Sequence, residues 1–309
     1  MTTCDYPLVS VIIPNYNHSK YLKIRINSVL SQDYSNFEVI ILDDCSTDNS
    51  REIIESYRND AHIVEVIYNT ENSGNTFIQW QKGIERANGE YVWIAESDDM
   101  AESTFLSVMM KTMIQHDDSV LAFSHSEIID AEGNVLPNVW DNRSRYSNGG
   151  VYESRMFCLT RMLFYNAPYN ASMVVFRKKY YYNVSQDYKR FRHNGDYLFW
   201  FEMCLQGKIL EVDKPLNKFR QHNNKVSATG QEQAFLENAE IVDKMIDMLH
   251  LSSYQQRCLR GKYHKRWKRS HVSTKEEGKR LYPRIYGGTA VDVFVYTVDK
   301  LFNFSGMNR

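Results

Sequence analysis

Residues 8–13 and 37–42 read LVSVII and FEVIIL, two short runs apolar at nearly every position and closed by Pro14-Asn15 and Asp43-Asp44. A strand with one face in water alternates polar and apolar residues. A strand apolar on both faces belongs inside a parallel sheet covered by helices. Helical signals recur between such runs. Behind Ser19 as a cap, residues 21–30 place Leu22, Ile26, Val29 and Leu30 on one side. A helix starting at Thr47 or Asp48 carries Ile53, Ile54 and Tyr57, and further helices are predicted over 77–87 and 105–115. Strands are predicted at 63–68, 90–95 and 120–125. This alternation predicts an α/β fold with a mostly parallel central sheet flanked by helices. Downstream, residues 128–135 (IIDAEGNV) predict a hairpin and residues 137–150 a polar, irregular loop. A helix over 154–165, a strand at 172–176, a helix over 197–206 and short strands at 208–212 and 217–221 follow; from Gly230 the pattern is helical.

Composition narrows the function. Lysine plus arginine (37) balance aspartate plus glutamate (38), which argues against a chain built around nucleic-acid phosphates. The five cysteines show no CxxC spacing, which argues against a disulfide framework or structural zinc and fits a reducing compartment. No basic-then-apolar leader precedes Leu8, and no run of about 18 apolar residues is present to span a bilayer. The expectation is a cytoplasmic protein, soluble or bound peripherally at the inner face of the membrane.

Ligands of an open α/β sheet bind beyond the carboxyl ends of its strands. Three such ends stand out: Pro14-Asn15-Tyr16-Asn17, Asp43-Asp44 and Glu96-Ser97-Asp98-Asp99. Adjacent carboxylates repel, and a cation shared among Asp98, Asp99 and a ligand relieves this. A hard divalent ion, Mg²⁺ or Mn²⁺, would bridge such carboxylates to a diphosphate. Neither GxxxxGK[ST] nor GxGxxG follows the first strand. The aromatic and amides found there suit a nucleobase better than a pyrophosphate cradle.

The string VSVIIPNYN, then SVLSQDYSNFEVIILDDCSTDNS, then NGEYVWIAESDD resembles the family 2 glycosyltransferases, which are inverting enzymes of GT-A fold, here of the bacterial surface-polysaccharide type. The likeness continues through HNGDYLFWFEMCLQGKILEVDKPLNKFRQHNNKVS and covers about 228 residues. It implies a catalytic domain over 1–228, with a nucleotide-sugar half (1–127) and an acceptor half (128–228), followed by a helical extension over 229–309. By the resemblance, Pro14 and Tyr16 lie against the base and Asp44 accepts its hydrogen bond, often from uracil. Asp98 meets the ribose and diphosphate, Asp99 is the direct metal ligand, and His222 closes over the diphosphate and joins Asp99 at the metal. Asp196 is the catalytic base that deprotonates the acceptor hydroxyl. Two departures stand out: Gly195 precedes Asp196 where the family often has glutamate, and residues 72–83 lack the family's Ala-Arg-Asn. Asn15, Gln79, Gln81, Lys82 and Arg220 are the remaining candidates for donor contacts, while His18, His116 and His125 are expected to be solvated or core histidines. The implied activity is transfer of a hexosyl or N-acetylhexosaminyl group from a nucleotide sugar, UDP-sugar favoured, to a glycan or lipid-linked glycan. A non-catalytic nucleotide- or carbohydrate-binding protein, or a membrane-surface scaffold, is the alternative.

From Arg257 to Arg280 the chain carries ten Lys/Arg against two Glu, with Tyr254, Cys258, Leu259, Tyr263 and Trp267 near helical spacing. Such a helix suits an anionic membrane surface; packing on the catalytic domain or on a second copy in a homodimer is the competing reading. In a following stretch Val291, Val295, Val298 and Phe302 share one face and Asp292 and Asp299 mark another. No recognisable nucleic-acid module is present.

Overall fold

The computed structural model describes residues 6–137, 149–222 and 230–307, so most of the expected loop at 137–150 lies outside the described residues. The two apolar runs form β1 (Val9–Asn15) and β2 (Phe37–Asp43), parallel to one another and buried at every position. Helix α1 (Ser19–Leu30) connects them, burying Leu22, Ile26 and Val29. Helix α2 (Ser50–Tyr57) starts later than expected. Asp48 instead holds the loop, accepting from Ser19 N at 2.8 Å and Ser50 N at 2.9 Å. The edge strand β3 (Ile63–Tyr68) is only half-buried and turns Glu65 outward to Arg86, a charged edge of the kind that discourages further pairing. Helix α3 (Thr76–Arg86) packs closely on β1. A Cβ on Gly83 would stand 2.4 Å from Ile12 Cγ2, so glycine is what permits the approach.

The chain continues through β4 (Tyr91–Ile94), β5 (Met100–Ala101), α4 (Phe105–Ile114), β6 (Ser119–Ile129), β7 (Gly150–Tyr152), β8 (Val174–Arg177) and β9 (Lys208–Arg220). Among the described residues the sheet order is β3-β2-β1-β4-β8-β6-β9-β5, with β7 beside β9. The run β3-β2-β1-β4 is parallel, as is β6 with β9, while β8 enters antiparallel between β4 and β6. The two short strands expected at 208–212 and 217–221 are one strand, β9, whose register against β6 shifts where His125 faces Pro215. Proline cannot donate to the ladder, which explains a break in the pattern there.

By contacts the chain forms two units. The first, Met1–Tyr152, Pro168–Val184 and Gln206–His222, contains the whole sheet and a core around Val11, Ile13, Val39, Ile41 and Trp93. The second, Glu153–Ala167, Ser185–Leu205 and Asn223–Arg309, is helical. It comprises α5 (Ser154–Phe157) running into a π-helical turn at Cys158–Met162, then α6 (Gly195–Cys204), α7 (Gln231–Met248), α8 (Ser253–Arg269), α9 (Lys275–Leu281), α10 (Pro283–Tyr286) and α11 (Ala290–Phe302). This unit crosses the expected boundary at 228, because polar bonds tie its early segments to its late helices. Glu237 of α7 accepts the backbone N–H of Arg192, His193 and Asn194 at 2.9–3.0 Å. Tyr263 Oη donates to Leu163 O at 3.2 Å and Arg266 to Phe164 O at 3.1 Å. Among the described residues no helix is long and apolar enough to cross a membrane.

Candidate active site

The carboxyl ends of β1 and β2 are braced against each other. Asn17 and Cys45 hold left-handed backbone, φ 54° and 63°, an uncommon state for residues other than glycine. Asn17 Oδ1 accepts Thr47 N at 2.8 Å, and Asn15 Nδ2 donates to Asp43 Oδ1 at 2.9 Å and Ser46 Oγ at 3.2 Å. Asn15 is therefore buried and engaged within the chain, whereas Tyr16 beside it is 45% exposed and free to lie against a ring. Pro14 is buried opposite Leu42.

Asp44 is buried at the centre of a donor shell. It receives Asn69 Nδ2 (2.6 Å), Ser73 N (2.9 Å), Ser73 Oγ (2.7 Å), Gln79 Nε2 (2.9 Å) and, more distantly, Asn72 Nδ2 (3.3 Å). Gln79 is thus spent on Asp44, and Lys82 Nζ donates to Asn69 Oδ1 at 2.5 Å. The residues expected to touch a donor sugar brace the pocket around Asp44.

The acidic loop after β4 separates its carboxylates by role. Asp99 is 1% exposed; its oxygens accept Arg220 N at 2.9 Å and Asn170 Nδ2 at 2.8 Å. Burial, reinforced by the Asp98 charge, pushes Asp99 up to about 6. Glu96 rises to about 8 for the same reasons, burial first and Asp98 second, while accepting Trp80 Nε1 at 2.7 Å. The wholly buried Arg25 stands among these carboxylates. It donates to Glu96 O and Ser172 Oγ and lies 3.9 Å from Asp99 Oδ2; burial lowers its guanidinium to about 10. Arg220 is turned to architecture too, donating to Asp98 O at 2.7 Å and Asp130 O at 2.9 Å with its guanidinium over the Tyr21 ring.

Asp98 turns to other partners. His222 Nε2 donates to its Oδ2 at 2.9 Å, and His18, whose Nδ1 lies 2.8 Å from Ser97 Oγ, packs edge-on to the His222 ring. Burial is the largest single influence and works to raise Asp98, but the His222 hydrogen bond and the charges of His18 and His222 together outweigh it, so the group stays below the ordinary carboxylate range. Burial lowers His18 in turn, against the opposing charge of Asp98. Ligand atoms of His18, Asp98 and His222 lie within 4.8 Å of one another, and His222 Nδ1 is buried without a hydrogen-bond partner. Two imidazoles and a carboxylate fit a divalent transition ion, with Mn²⁺ suited better than Mg²⁺ by its tolerance of nitrogen. His18, Asp98 and His222 thus form a set able to hold a cation, while the Asp99 oxygens accept from Arg220 N and Asn170 Nδ2. In the sequence His18 carries no signal of this placement beyond its position four residues after Pro14.

Asp196 belongs to the helical unit, in the first turn of α6. Asn166 Nδ2 donates to its Oδ2 at 2.8 Å, yet burial dominates and pushes the carboxyl up to about 7. The segment ahead of it is held by Glu237 from α7. Asn166 and Glu237 escaped the sequence reading because neither lies in a motif; each reaches the segment from 30 or more positions away.

A sequence model described as "Glycosyl transferase family 2" matches residues 10–173, more than half of the chain. The chain is similar to "Putative teichuronic acid biosynthesis glycosyltransferase TuaG" of Bacillus subtilis (strain 168), 36% identical over 130 residues, 42% of this chain and 51% of that protein. The chain thus spans about half the length of several curated relatives that it matches. Among solved structures it is similar to S. aureus TarS 1–349 in complex with UDP-GlcNAc, with TM-score 0.67 and 20% identity over 97% of this chain and 81% of that one. It is also similar in fold to GalNAc-T7 with UDP, GalNAc and Mn²⁺, with TM-score 0.61 and 12% identity over 98% of this chain and 59% of that one.

Proposed function

Because the chain belongs to glycosyltransferase family 2, we propose that it moves one sugar, hexosyl or N-acetylhexosaminyl, from a UDP-sugar to a hydroxyl of a lipid-linked or growing surface glycan, with inversion. The observation that carries the reading is the meeting of His18, Asp98 and His222 beside Tyr16 and Asp44 at one sheet edge. Tyr16 offers a ring to the base, and the base N–H takes the place of the distant Asn72 donor on Asp44. A divalent ion held by Asp98, His222 and His18 would neutralise the departing diphosphate. Asp99 stands behind this set, fixing Arg220 and Asn170. Asp196 takes the proton from the acceptor hydroxyl as that oxygen bonds to the anomeric carbon and the bond to the diphosphate breaks. The names of TuaG and TarS support a cell-surface polymer as the product. The proposed workplace is the cytoplasmic face of the membrane, with the basic stretch from Arg257 to Arg280 toward anionic lipid.

Calorimetry with UDP tests the site. Mn²⁺ should raise affinity, Asp98→Ala and His222→Ala should remove most of that gain, and UDP should outcompete GDP. Equal UDP binding in excess chelator would overturn the metal assignment, and a GDP preference the base assignment. Release of UDP from a donor only when acceptor is present would separate an enzyme from a binding protein.

A further inference from the structure

Helix α11 is amphipathic in the inverse sense. Its carboxylates face the protein: Asp292 is 5% exposed and Asp299 fully buried. Asp292 closes a capping box with Thr289 and receives Arg257 Nε at 3.2 Å, with Arg260 Nη2 at 3.5 Å. Asp299 accepts Ser305 N at 2.7 Å and Ser305 Oγ at 2.5 Å, with Tyr254 Oη at 3.4 Å. These bonds fix the helix's rotation, since turning the apolar face inward would strip both carboxylates of their partners. The opposite face runs Val291, Phe294, Leu301 and Phe302 at helical spacing and continues to Phe304, each between 57% and 75% exposed. An open cleft of about 420 Å³, lined by Ser252, Tyr254, Gln255, Phe304 and Ser305, adjoins its end. A contiguous apolar face of this kind marks an interaction site.

Charge identifies the occupant. Residues 253–309 carry 13 Lys/Arg and 4 Asp/Glu, a net of +9 in a chain of net −1, so the rest carries −10. Lys300 is exposed to the side of the apolar face, and Lys265 reaches Thr297 from α8 at 3.4 Å. A second copy seated face to face would bring like charges together, whereas an anionic lipid surface complements them. We propose that the outward face of α11 inserts into an anionic lipid surface, with the basic residues of the C-terminal helices against the headgroups. This rests on the membrane-side location proposed above and names the element that enters the bilayer. The aromatic stripe of α8 does not serve, because Cys258, Leu259 and Tyr263 are buried within the helical unit.

The test is sedimentation of the full chain with vesicles of phosphatidylcholine plus phosphatidylglycerol, and of phosphatidylcholine alone. The parent should bind the mixed vesicles and keep a residue of binding near 1 M salt, where the Debye length falls to about 3 Å. The variant Phe294→Ser/Leu301→Ser/Phe302→Ser should bind at least about tenfold more weakly and lose the salt-resistant part. Its melting temperature should match the parent's, since all three side chains face solvent. If this variant binds as the parent does while Arg266→Gln/Lys268→Gln/Arg269→Gln/Lys300→Gln does not, the membrane location stands and α11 insertion falls. If the parent ignores both vesicles, both fall. If the parent is a dimer by sedimentation velocity and the serine variant a monomer that never bound lipid, a second copy covers the face and the inference is overturned.

Discussion

A general base must be ionised to accept a proton, and Asp196, the base proposed above, sits where burial pushes its carboxyl up to about 7. Turnover should therefore fall about tenfold per pH unit below 7 and level off above it. Asp196→Asn should lower turnover about 10²–10⁴-fold while leaving UDP affinity unchanged, as calorimetry and a product assay would measure. The same shift carries a stability signature. The folded value lies above the unfolded one near 4, so the neutral form is favoured by folding. That contribution is fully present below pH 4 and lost as pH rises through 7. Asn is neutral throughout, so Asp196→Asn should melt higher than the parent at pH 8, with the difference closing in acid. A variant that melts lower at pH 8 would mean that the carboxylate is stabilised where it stands. At this scale the sequence directs attention to Asp98, Asp196 and His222, since each lies in a string with a recognisable spacing. The motifs did not expose the division of labour between Asp98 and Asp99, which depends on which carboxylate Arg220 N and Asn170 reach. Nor did they single out His18, which comes within reach of Asp98 and His222 only in the folded chain.

Among the elements, α8 and α11 show where sequence pattern stops being informative. Periodicity found both helices and the two faces of α11, but it does not say which face a helix turns inward. That was decided by Arg257, Arg260 and Ser305, whose bonds drew the acidic face in. The strands were legible because a run apolar on both faces has one environment available to it; the union of two expected strands into β9 was not, because Pro215 reads as an interruption. Close packing of α11 on α8 depends on Gly261. A Cβ there would stand 2.2 Å from the carbonyl oxygen of Asp292, backbone that cannot swing aside. Gly261→Ala should therefore cost about 1–3 kcal/mol in urea unfolding, the usual range for overpacking, and speed proteolysis near residues 287–289. An unchanged unfolding midpoint would show that α11 is not held against α8 as described.

For the molecule as a whole, the question is whether the C-terminal helices are an appendage to the proposed catalytic machinery or part of it. The residues proposed to meet the nucleotide and the metal, Tyr16, Asp44, Asp98 and Asp99 with Arg220 and His222, all belong to the unit that contains the sheet. Asp196 belongs to the helical unit, where α6 shares its environment with α7 and α8. Ending the chain at residue 228 would remove Glu237, leaving the N–H groups of Arg192, His193 and Asn194 without their acceptor ahead of Asp196. It would also strip Leu163 and Phe164 of the bonds from Tyr263 and Arg266. A fully buried group left without its partner costs about 1–3 kcal/mol; most of these are part-buried and cost less each, but several are lost at once. A chain of residues 1–228 should therefore keep Mn²⁺-dependent UDP binding within a few-fold of the parent, since that pocket draws on the sheet unit. Sugar transfer should fall by at least about 10²-fold, because the base would lose its setting. Glu237→Gln in the full chain should reproduce part of the loss, as an amide accepts fewer hydrogen bonds than a carboxylate. Calorimetry and a transfer assay on the three proteins would decide it. Transfer at the parent rate by the shortened chain would make 229–309 a true extension, concerned with where the enzyme sits rather than with how it works.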